Sequence, residues 1–402
     1  MKKNFLYVAF AALCLMGTST FTSCSDDDDP APVVCPVDET EFTAAKGLQL
    51  MYNNNPMLGQ KVKFTPNGDK ATLKITSDLS ALPGMPAGKA DMSELQGPGL
   101  LPGTPELTLS VDLKVNGDQC SFEGMGETEF CTYEYQGTVN KSSLNLQFNN
   151  VKLKDTSFAG KMDLNQFEYT LSSWGNSIDK VTDTPIHIVW ESEKGIDLGF
   201  VQLPMQSVLE MVLNMPLIPE GDGKYVPEKL NEVLKDVTFQ EDGNIVATYT
   251  DIKNPAAGWQ TSPVNLAQYV VVNATTIRVF LNPMAIMLQA MKGVKAVSDE
   301  AIWGAINQLK PLLKDGVPVV CSADNDKRTL FLNQDLLLPL LKSTVVPLFQ
   351  DKDFRDDLLE AMKKNPSFAG LAPLAGPVLE LVPSIIETTT KLEIGLNFTV
   401  SK

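Results

Sequence analysis

The chain has 402 residues, a formal net charge of −16 at pH 7 and 43 % apolar residues. This length allows one or two domains, and the apolar fraction is sufficient for well-packed cores. The acidic balance argues against binding to DNA, RNA or anionic lipid headgroups, because those partners attract basic patches. His187 is the single histidine, which excludes a zinc site built on two or three histidines.

The first residues predict export from the cytoplasm. Two lysines precede a short apolar run from Phe5 to Met16, which is the pattern of a secretory signal peptide. The run is shorter than the roughly 20 residues that a membrane-spanning helix needs. It leads to Phe21-Thr22-Ser23-Cys24, and small residues directly before a cysteine resemble the lipobox of bacterial lipoproteins. The resemblance implies that residues 1–23 are a signal peptide and that Cys24 carries a diacylglycerol anchor.

An acidic segment follows the lipobox. Residues 25–30 contain four consecutive aspartates, and such a block after a lipidated cysteine resembles the surface-export tag of Bacteroidota lipoproteins. That resemblance implies the outer face of the outer membrane, with the periplasmic face as the alternative. The residues alone indicate a solvated, self-repelling tether, because blocks of like charge stay disordered. We assign residues 24–40 to this tether, since the prolines after the acidic block also disfavour helix.

The whole chain resembles lipoproteins of unknown function and similar length in Bacteroidales. Residues 1–30 carry the specific motifs, and the remainder is similar in its β-rich texture. The resemblance implies a membrane partner through the lipid anchor, and it implies no known activity. We expect no nucleic-acid partner, no cofactor and no metal site.

Residues 41–172 have the alternation of a β-rich domain. From Leu107 to Val115 every second residue is apolar, which is typical of a strand with one buried face. Asn116-Gly117 follows as a tight-turn dipeptide, and alternation resumes from Leu144 to Phe148. Short strands at this spacing indicate a sandwich or a barrel. We therefore expect an antiparallel β-meander, barrel-like, in this N-terminal region.

Residues 173–402 indicate a mixture of helices and hairpins. Pro204 stands near the first turn of an apolar helix pattern, and Asp242-Gly243 is a hairpin signal. Asn282 and Asn333 each end a strand-like segment before a helix-like one, and asparagine is a good N-cap. The expected fold class is α+β, with the β-meander followed by a mixed helix-and-hairpin C-terminal region.

Methionines cluster on the predicted helices. Methionine is flexible and polarizable, so it can line an adaptable apolar pocket for a lipid or another apolar ligand. The alternative is that these side chains fill gaps in an ordinary core. The candidate pocket residues are Met205, Met211, Met284 and Met287.

The cysteines of the mature chain other than the anchor are even in number, which permits disulfides in an exported protein. Cys120 and Cys131 flank a segment that resembles a turn between two strands, so they are the candidate pair for a cross-strand bridge. Free, buried cysteines are the alternative. The spacing matches no zinc motif.

Catalytic signatures are absent from the sequence. No G-x-S-x-G nucleophile elbow and no G-x-x-x-x-G-K-[ST] phosphate loop occurs. His187 lies in a strand-like segment without an identifiable partner, so a structural histidine is the main interpretation. Glycoside hydrolysis needs two carboxylates, and Glu191 and Glu193 beside Trp190 are the least arbitrary pair among the acidic residues. We assign no catalytic residue.

Three functions are consistent with these observations. The anchor and the lack of catalytic motifs favour a surface-exposed, non-catalytic protein that binds a small apolar ligand, a glycan or a protein partner. The first alternative is a carboxylate-based, glycosidase-like hydrolase. The second is a structural or assembly component of the envelope, which needs no pocket.

Overall fold

The computed structural model describes residues 35–80, 97–173, 178–197, 202–214, 224–251, 255–286, 310–364 and 372–401. All structural statements below concern these residues. Cys24 and Met287 lie outside them. The α+β class expected from the sequence is confirmed, because strands dominate and the helices are concentrated in the C-terminal half.

The first ten strands form two sheets. The smaller sheet consists of β1 (Thr40–Phe42), β4 (Gln60–Asn67), β5 (Lys70–Ser77) and β6 (Glu106–Asp112), hydrogen-bonded in that order. The larger sheet consists, also in hydrogen-bonded order, of β3 (Asn55–Pro56), β2 (Leu48–Tyr52), β10 (Leu144–Leu153), β9 (Cys131–Val139), β8 (Gln119–Glu127) and β7 (Lys114–Asn116). Strands β2 and β10 run parallel, and the other pairs are antiparallel.

Both sheets turn one face to a shared core. In β6, Leu107, Leu109 and Val111 are buried while the residues between them are exposed, as the alternation predicts. The larger sheet contributes Phe122 and Phe148 to the same hydrophobic cluster. Because the two buried faces meet, this unit is a β-sandwich. The strand spacing indicated a sandwich or a barrel, and we expected the barrel-like form in this region; the closed barrel is instead formed by later strands.

Eight strands of the second unit close into an antiparallel barrel. In hydrogen-bonded order they are β11 (Gly160–Leu164), β17 (Leu234–Phe239), β18 (Asn244–Tyr249), β20 (Ala267–Asn273), β21 (Thr276–Leu281), β22 (Val317–Asp324), β23 (Lys327–Asn333) and β24 (Thr389–Val400). The ring closes because β24 pairs with β23 on one edge and with β11 on the other, where Val400 lies opposite Met162. By strand pairing, the division between the two units falls between Leu153 and Gly160, earlier than the boundary after residue 172 that the sequence suggested.

Further elements flank the barrel. Strand β14 (Ile186–Ser192) pairs with β24 beyond the end of β11. The remaining strands are β12 (Glu168–Leu171) with β13 (Ile178–Asp183), β15 (Ile196–Asp197) with β16 (Gln202–Leu203), and β19 (Gln260–Thr261) beside β18. The helices are α1 (Met205–Leu213), α2 (Val226–Val233), α3 (Lys310–Asp315), α4 (Gln334–Gln350), α5 (Lys352–Lys364) and α6 (Ala372–Glu387), and 3₁₀ turns cover Ala44–Lys46 and Pro255–Ala257. Within the ranges that the structure describes, we find no helix with both the length and the apolar composition that crossing a bilayer requires.

Strand alternation assigns each barrel residue to the interior or the exterior. Phe239, Ile277 and Phe398 share one face and are buried. The opposite face carries polar groups such as Lys161 and Asp236, whose Nζ and Oδ2 atoms are 3.1 Å apart. The apolar face is therefore the interior of the barrel, and the polar face is its outside.

The outer face of β20 and β21 packs against the sandwich. Val270 is buried there although it points away from the barrel interior. Asn265 and Asn282 donate side-chain hydrogen bonds of 3.0 Å and 2.9 Å to the backbone carbonyls of Pro56 and Leu58. The hydrophobic cluster is continuous across this junction, so the sandwich and the barrel form one packed body.

Asn282 and Asn333 both stand at the start of helical residues, as the sequence predicted. The Oδ1 atom of Asn282 accepts a hydrogen bond of 3.1 Å from the backbone amide of Ala285, which is the geometry of an N-cap. Asn333 instead directs its Nδ2 atom to the carboxylate of Asp335 at 3.2 Å, and its side chain does not cap α4.

Candidate functional site

The interior face of β24 changes along the strand from packed to open. Phe398 is 2 % exposed, and Leu396 is partly exposed. Ile394, the next residue on this face, is 40 % exposed. It lies beyond the end of β11, where β24 pairs with β14 instead. Leu392, one step further, is fully buried. The apolar face of β24 is therefore open at Ile394, between the buried residues Leu392 and Phe398, and we call this stretch the open interval.

The strands beside β24 bring further aliphatic residues to the open interval. Ile394 lies opposite Leu332 of β23 and Ile188 of β14, and Leu396 lies opposite Leu330. These neighbours are all partly exposed. Because their side chains have no polar atoms, this part of the wall is suited to an apolar molecule.

An aromatic layer closes the interior on one side. The rings of Phe239 and Tyr269 are perpendicular with centroids 5.1 Å apart, and Phe158 lies 4.9 Å from Phe239 in the same edge-to-face manner. The Tyr269 hydroxyl donates a hydrogen bond of 3.1 Å to the carbonyl of Gln240. Burial raises the pKa of Tyr269 well above its ordinary value, so the phenol stays protonated. This layer is a structural floor.

Helices and an indole lie on the other side of the open interval. Helix α4 packs against β23, β24 and α6, and Ile385 of α6 is buried. The Nε1 atom of Trp190, which lies opposite Leu392, donates a hydrogen bond of 2.9 Å to the hydroxyl of Thr389. That hydroxyl in turn donates to the carbonyl of Ile385 at 2.8 Å. These bonds fix the indole between β14 and the end of α6.

Strand β14 has an edge that a helix covers. The side chain of Gln206, in α1, accepts a hydrogen bond of 2.9 Å from the backbone amide of Trp190 and donates one of 3.2 Å to the carbonyl of Ile188. The side-chain amide of Gln206 thus satisfies backbone groups that a neighbouring strand would satisfy elsewhere in the barrel. Because two side-chain bonds open more readily than a ladder of main-chain bonds, this edge can open more readily than the strand-paired sides that the structure describes.

The methionines that the sequence assigned to one pocket lie in different places. Met205 and Met211 belong to α1, where Met211 is 45 % exposed. Met284 is buried at the junction, where a Cβ added to Gly59 would lie 3.0 Å from its Cβ. Met287 is outside the described residues. The open interval is lined instead by aliphatic strand residues, which sequence reasoning missed because their common level depends on pairing between distant strands.

The single histidine lies on the outside of the barrel. The Nε2 atom of His187 is 2.8 Å from Oε2 of Glu393, and its ring centroid is 5.1 Å from that of Phe331. A carboxylate and an aromatic ring therefore hold the imidazole, which is the environment of a structural histidine. Glu191 and Glu193 are exposed at the end of β14, away from the interior face.

The structure separates Cys120 and Cys131. Cys120 lies opposite Val139 at one end of the β8–β9 hairpin, whereas Cys131 lies at the other end with its Sγ atom 3.3 Å from Oγ1 of Thr128. A disulfide needs the two Cα atoms within about 7 Å, so the bridge suggested by the sequence does not fit this register. The sulfur of Cys120 is instead 3.0 Å from that of Cys35.

No protein-family model, curated protein or solved structure matches this chain. The open interval is therefore identified by geometry and burial alone. Its defining features are the exposure of Ile394, the aromatic floor that contains Tyr269, and the helix that covers β14 through Gln206.

Proposed function

We propose that this chain is a lipid-anchored protein of the outer-membrane surface that binds a small apolar molecule inside its barrel. The observation that carries the binding role is the 40 % exposure of Ile394 on the strand face that also carries the buried residues Leu392 and Phe398, next to the end of the barrel. Interior positions of a small barrel are normally filled by side chains, or they surround one small ligand. An unfilled apolar interval therefore favours a ligand.

The chemistry of the wall defines the ligand class. Ile188, Leu330, Leu332 and Leu396 offer dispersion contacts and no hydrogen bonds. Each Å² of apolar ligand surface removed from water contributes about 25 cal/mol, whereas a polar group without a partner there costs about 1–3 kcal/mol. The portion of the ligand that enters is therefore an alkyl chain or a similar hydrocarbon group. This favours an apolar small molecule over a glycan.

Access is through the side of the barrel covered by α1. The Gln206 bonds to Trp190 and Ile188 can open without breaking a strand ladder. Met205 and Met211 on the same helix are partly or largely exposed, and methionine side chains adapt readily to an entering apolar group. In this arrangement the methionines act at the entrance, and the aliphatic strand residues form the wall.

The binding role is tested with the mature chain and a dansyl-labelled long-chain fatty acid, whose fluorescence rises in an apolar site. Ile394→Arg is expected to weaken binding at least about tenfold, because it buries a cation in the open interval. Val272→Arg is the matched control, since Val272 is 47 % exposed on the outer face of β20. Absence of saturable binding by the wild type, or equal loss in both variants, would contradict the proposal.

The location is tested separately on cells of the source organism. Mass spectrometry of the native protein should find a diacylglycerol-modified N-terminal residue at Cys24, as the lipobox resemblance implies. Protease added to intact cells should degrade the protein if it faces outward. An unmodified, uncleaved Cys24 would remove the anchor, and full protection from protease would place the protein on the inner face.

A further inference from the structure

The thiols of Cys35 and Cys120 lie side by side in the sandwich core. Their Sγ atoms are 3.0 Å apart, although 85 positions separate them in the sequence. Cys120 is fully buried, Cys35 is 8 % exposed, and Val37 beside it is 1 % exposed. A disulfide has a sulfur–sulfur distance of about 2.05 Å, so bond formation needs a movement of about 1 Å.

The remaining cysteines of the described chain have other neighbours. The Sγ atom of Cys131 faces the hydroxyl of Thr128, and that of Cys321 lies 3.9 Å from the carbonyl of Ser322. Neither partner is a thiol. Among the cysteines that the structure describes, the geometry therefore selects one pair.

We propose that Cys35 and Cys120 are joined by a disulfide in the exported protein. The bond forms when the two thiols lose two protons and two electrons to a protein or small-molecule disulfide, which is reduced to two thiols. This proposal rests on export to an oxidising compartment, which is part of the function proposed above. It is independent of what the barrel binds.

Burial determines when this bond can form. Desolvation raises the pKa of the Cys120 thiol to about 12, and the thiolate is the species that attacks a disulfide. In the folded protein the exchange is therefore slow. We expect the bond to form during folding, before β8 is covered, and to resist reduction afterwards.

The position of the bond gives it a mechanical role. Cys35 lies within residues 24–40, which the sequence assigned to the tether, but it is buried, so the tether ends before it. Cys120 lies on β8, in the sheet that does not contain β1. Strand β1 lies at a sheet edge and pairs with β4 through three residues. With the disulfide in place, β1 can detach, or the chain can be cut between residues 35 and 120, without releasing the body from its anchor.

The test uses the mature chain with Cys24→Ser, so that no unlipidated thiol competes. The protein is refolded in a glutathione redox buffer, alkylated under denaturing conditions and digested without reduction. We expect peptides containing Cys35 and Cys120 to be linked, and Cys131 and Cys321 to be alkylated. Alkylation of both Cys35 and Cys120 in protein that has refolded to its native circular dichroism spectrum would overturn the proposal.

A second measurement distinguishes a covalent disulfide from two thiols that are only packed together. The melting temperature of the wild type should fall by about 5 °C when the protein is refolded with excess reductant instead of oxidant. Cys35→Ala should remove this dependence on redox buffer, and Cys321→Ala should keep it. Equal melting temperatures of the wild type in the two buffers would also overturn the proposal. A failure to bind the fatty-acid probe would leave these readouts unaffected.

Discussion

The hydroxyl of Tyr52 donates a hydrogen bond of 2.5 Å to the backbone carbonyl of Asp242, 190 positions further along the chain. Tyr52 is fully buried in β2, and Asp242 lies in the turn between β17 and β18. The side chain of Asn53 adds a hydrogen bond of 3.1 Å to the Asp242 carboxylate. A sandwich strand therefore fixes a turn of the barrel, and this contact links the two units energetically.

Removal of the Tyr52 hydroxyl should destabilise the protein. We expect Tyr52→Phe to lower the free energy of unfolding by about 1–2 kcal/mol, because the partly buried carbonyl of Asp242 loses this donor. Urea unfolding followed by circular dichroism measures the change. Tyr135→Phe is the control, since the side chain of Tyr135 is only partly buried, and it should cost less than about 0.5 kcal/mol. Equal costs for the two variants would mean that the hydroxyl of Tyr52 contributes nothing specific.

Gly243, next to Asp242, should tolerate no side chain. Its φ angle is 86°, and an added Cβ would lie 2.6 Å from Cγ of Pro102 in the sandwich. Gly68 has a similar φ angle of 65° but no heavy atom within 4 Å of an added Cβ. Gly68→Ala therefore measures the backbone cost alone, about 1 kcal/mol, whereas Gly243→Ala should cost about 2 kcal/mol more because the junction must move. Chemical denaturation of both variants gives the difference, and a value near zero would show that the turn is not clamped.

The two levels of the barrel interior should respond differently to truncation. Phe398→Ala should cost about 3–5 kcal/mol, because it leaves a cavity in a packed layer. Ile394 lies on the same strand face, four positions before Phe398. Ile394→Ala should cost about 1 kcal/mol, since Ile394 is already 40 % exposed. The comparison uses unfolding free energies of the protein without ligand. A large cost at Ile394 would indicate that the open interval is packed in solution.

Local signals in the sequence predicted local structure. The alternation from Leu107 to Val111 and the turn at Asn116-Gly117 are found as β6 and the β7–β8 hairpin, with Gly117 at a φ angle of 65°. The Asp242-Gly243 signal likewise marks the β17–β18 turn. In these cases, side-chain periodicity and the freedom of glycine at positive φ act within a few residues.

The features that make the candidate site are non-local, and the sequence did not reveal them. Barrel closure depends on Met162 pairing with Val400, and the sandwich depends on the parallel pairing of β2 with β10. In both cases the paired segments are far apart in the sequence. An alternating strand shows which residues share a face, but not which residues of another strand lie at the same level. Ile188 and Ile394 therefore carry no signal of the open interval until the register is known, whereas helix methionines stand out by residue type alone.

Alkaline pH should destabilise the fold through its buried tyrosines. Burial raises the pKa of Tyr52 and Tyr269 well above the ordinary value of 10. The unfolded chain releases these protons near pH 10, and the folded chain retains them, so above that pH the folded state binds more protons. The stability that the protonated phenols contribute is complete below pH 10 and is lost as pH rises towards the folded pKa values, by about 1.4 kcal/mol per pH unit for each tyrosine.

Urea unfolding between about pH 9 and pH 11 measures this slope. Tyr52→Phe should reduce the slope by about one tyrosine, and Gly68→Ala, which removes no titrating group, should leave it unchanged. If Tyr52→Phe had the wild-type slope, the phenol of Tyr52 would ionise equally in the folded and unfolded states, and the buried contact with Asp242 could not exist in solution.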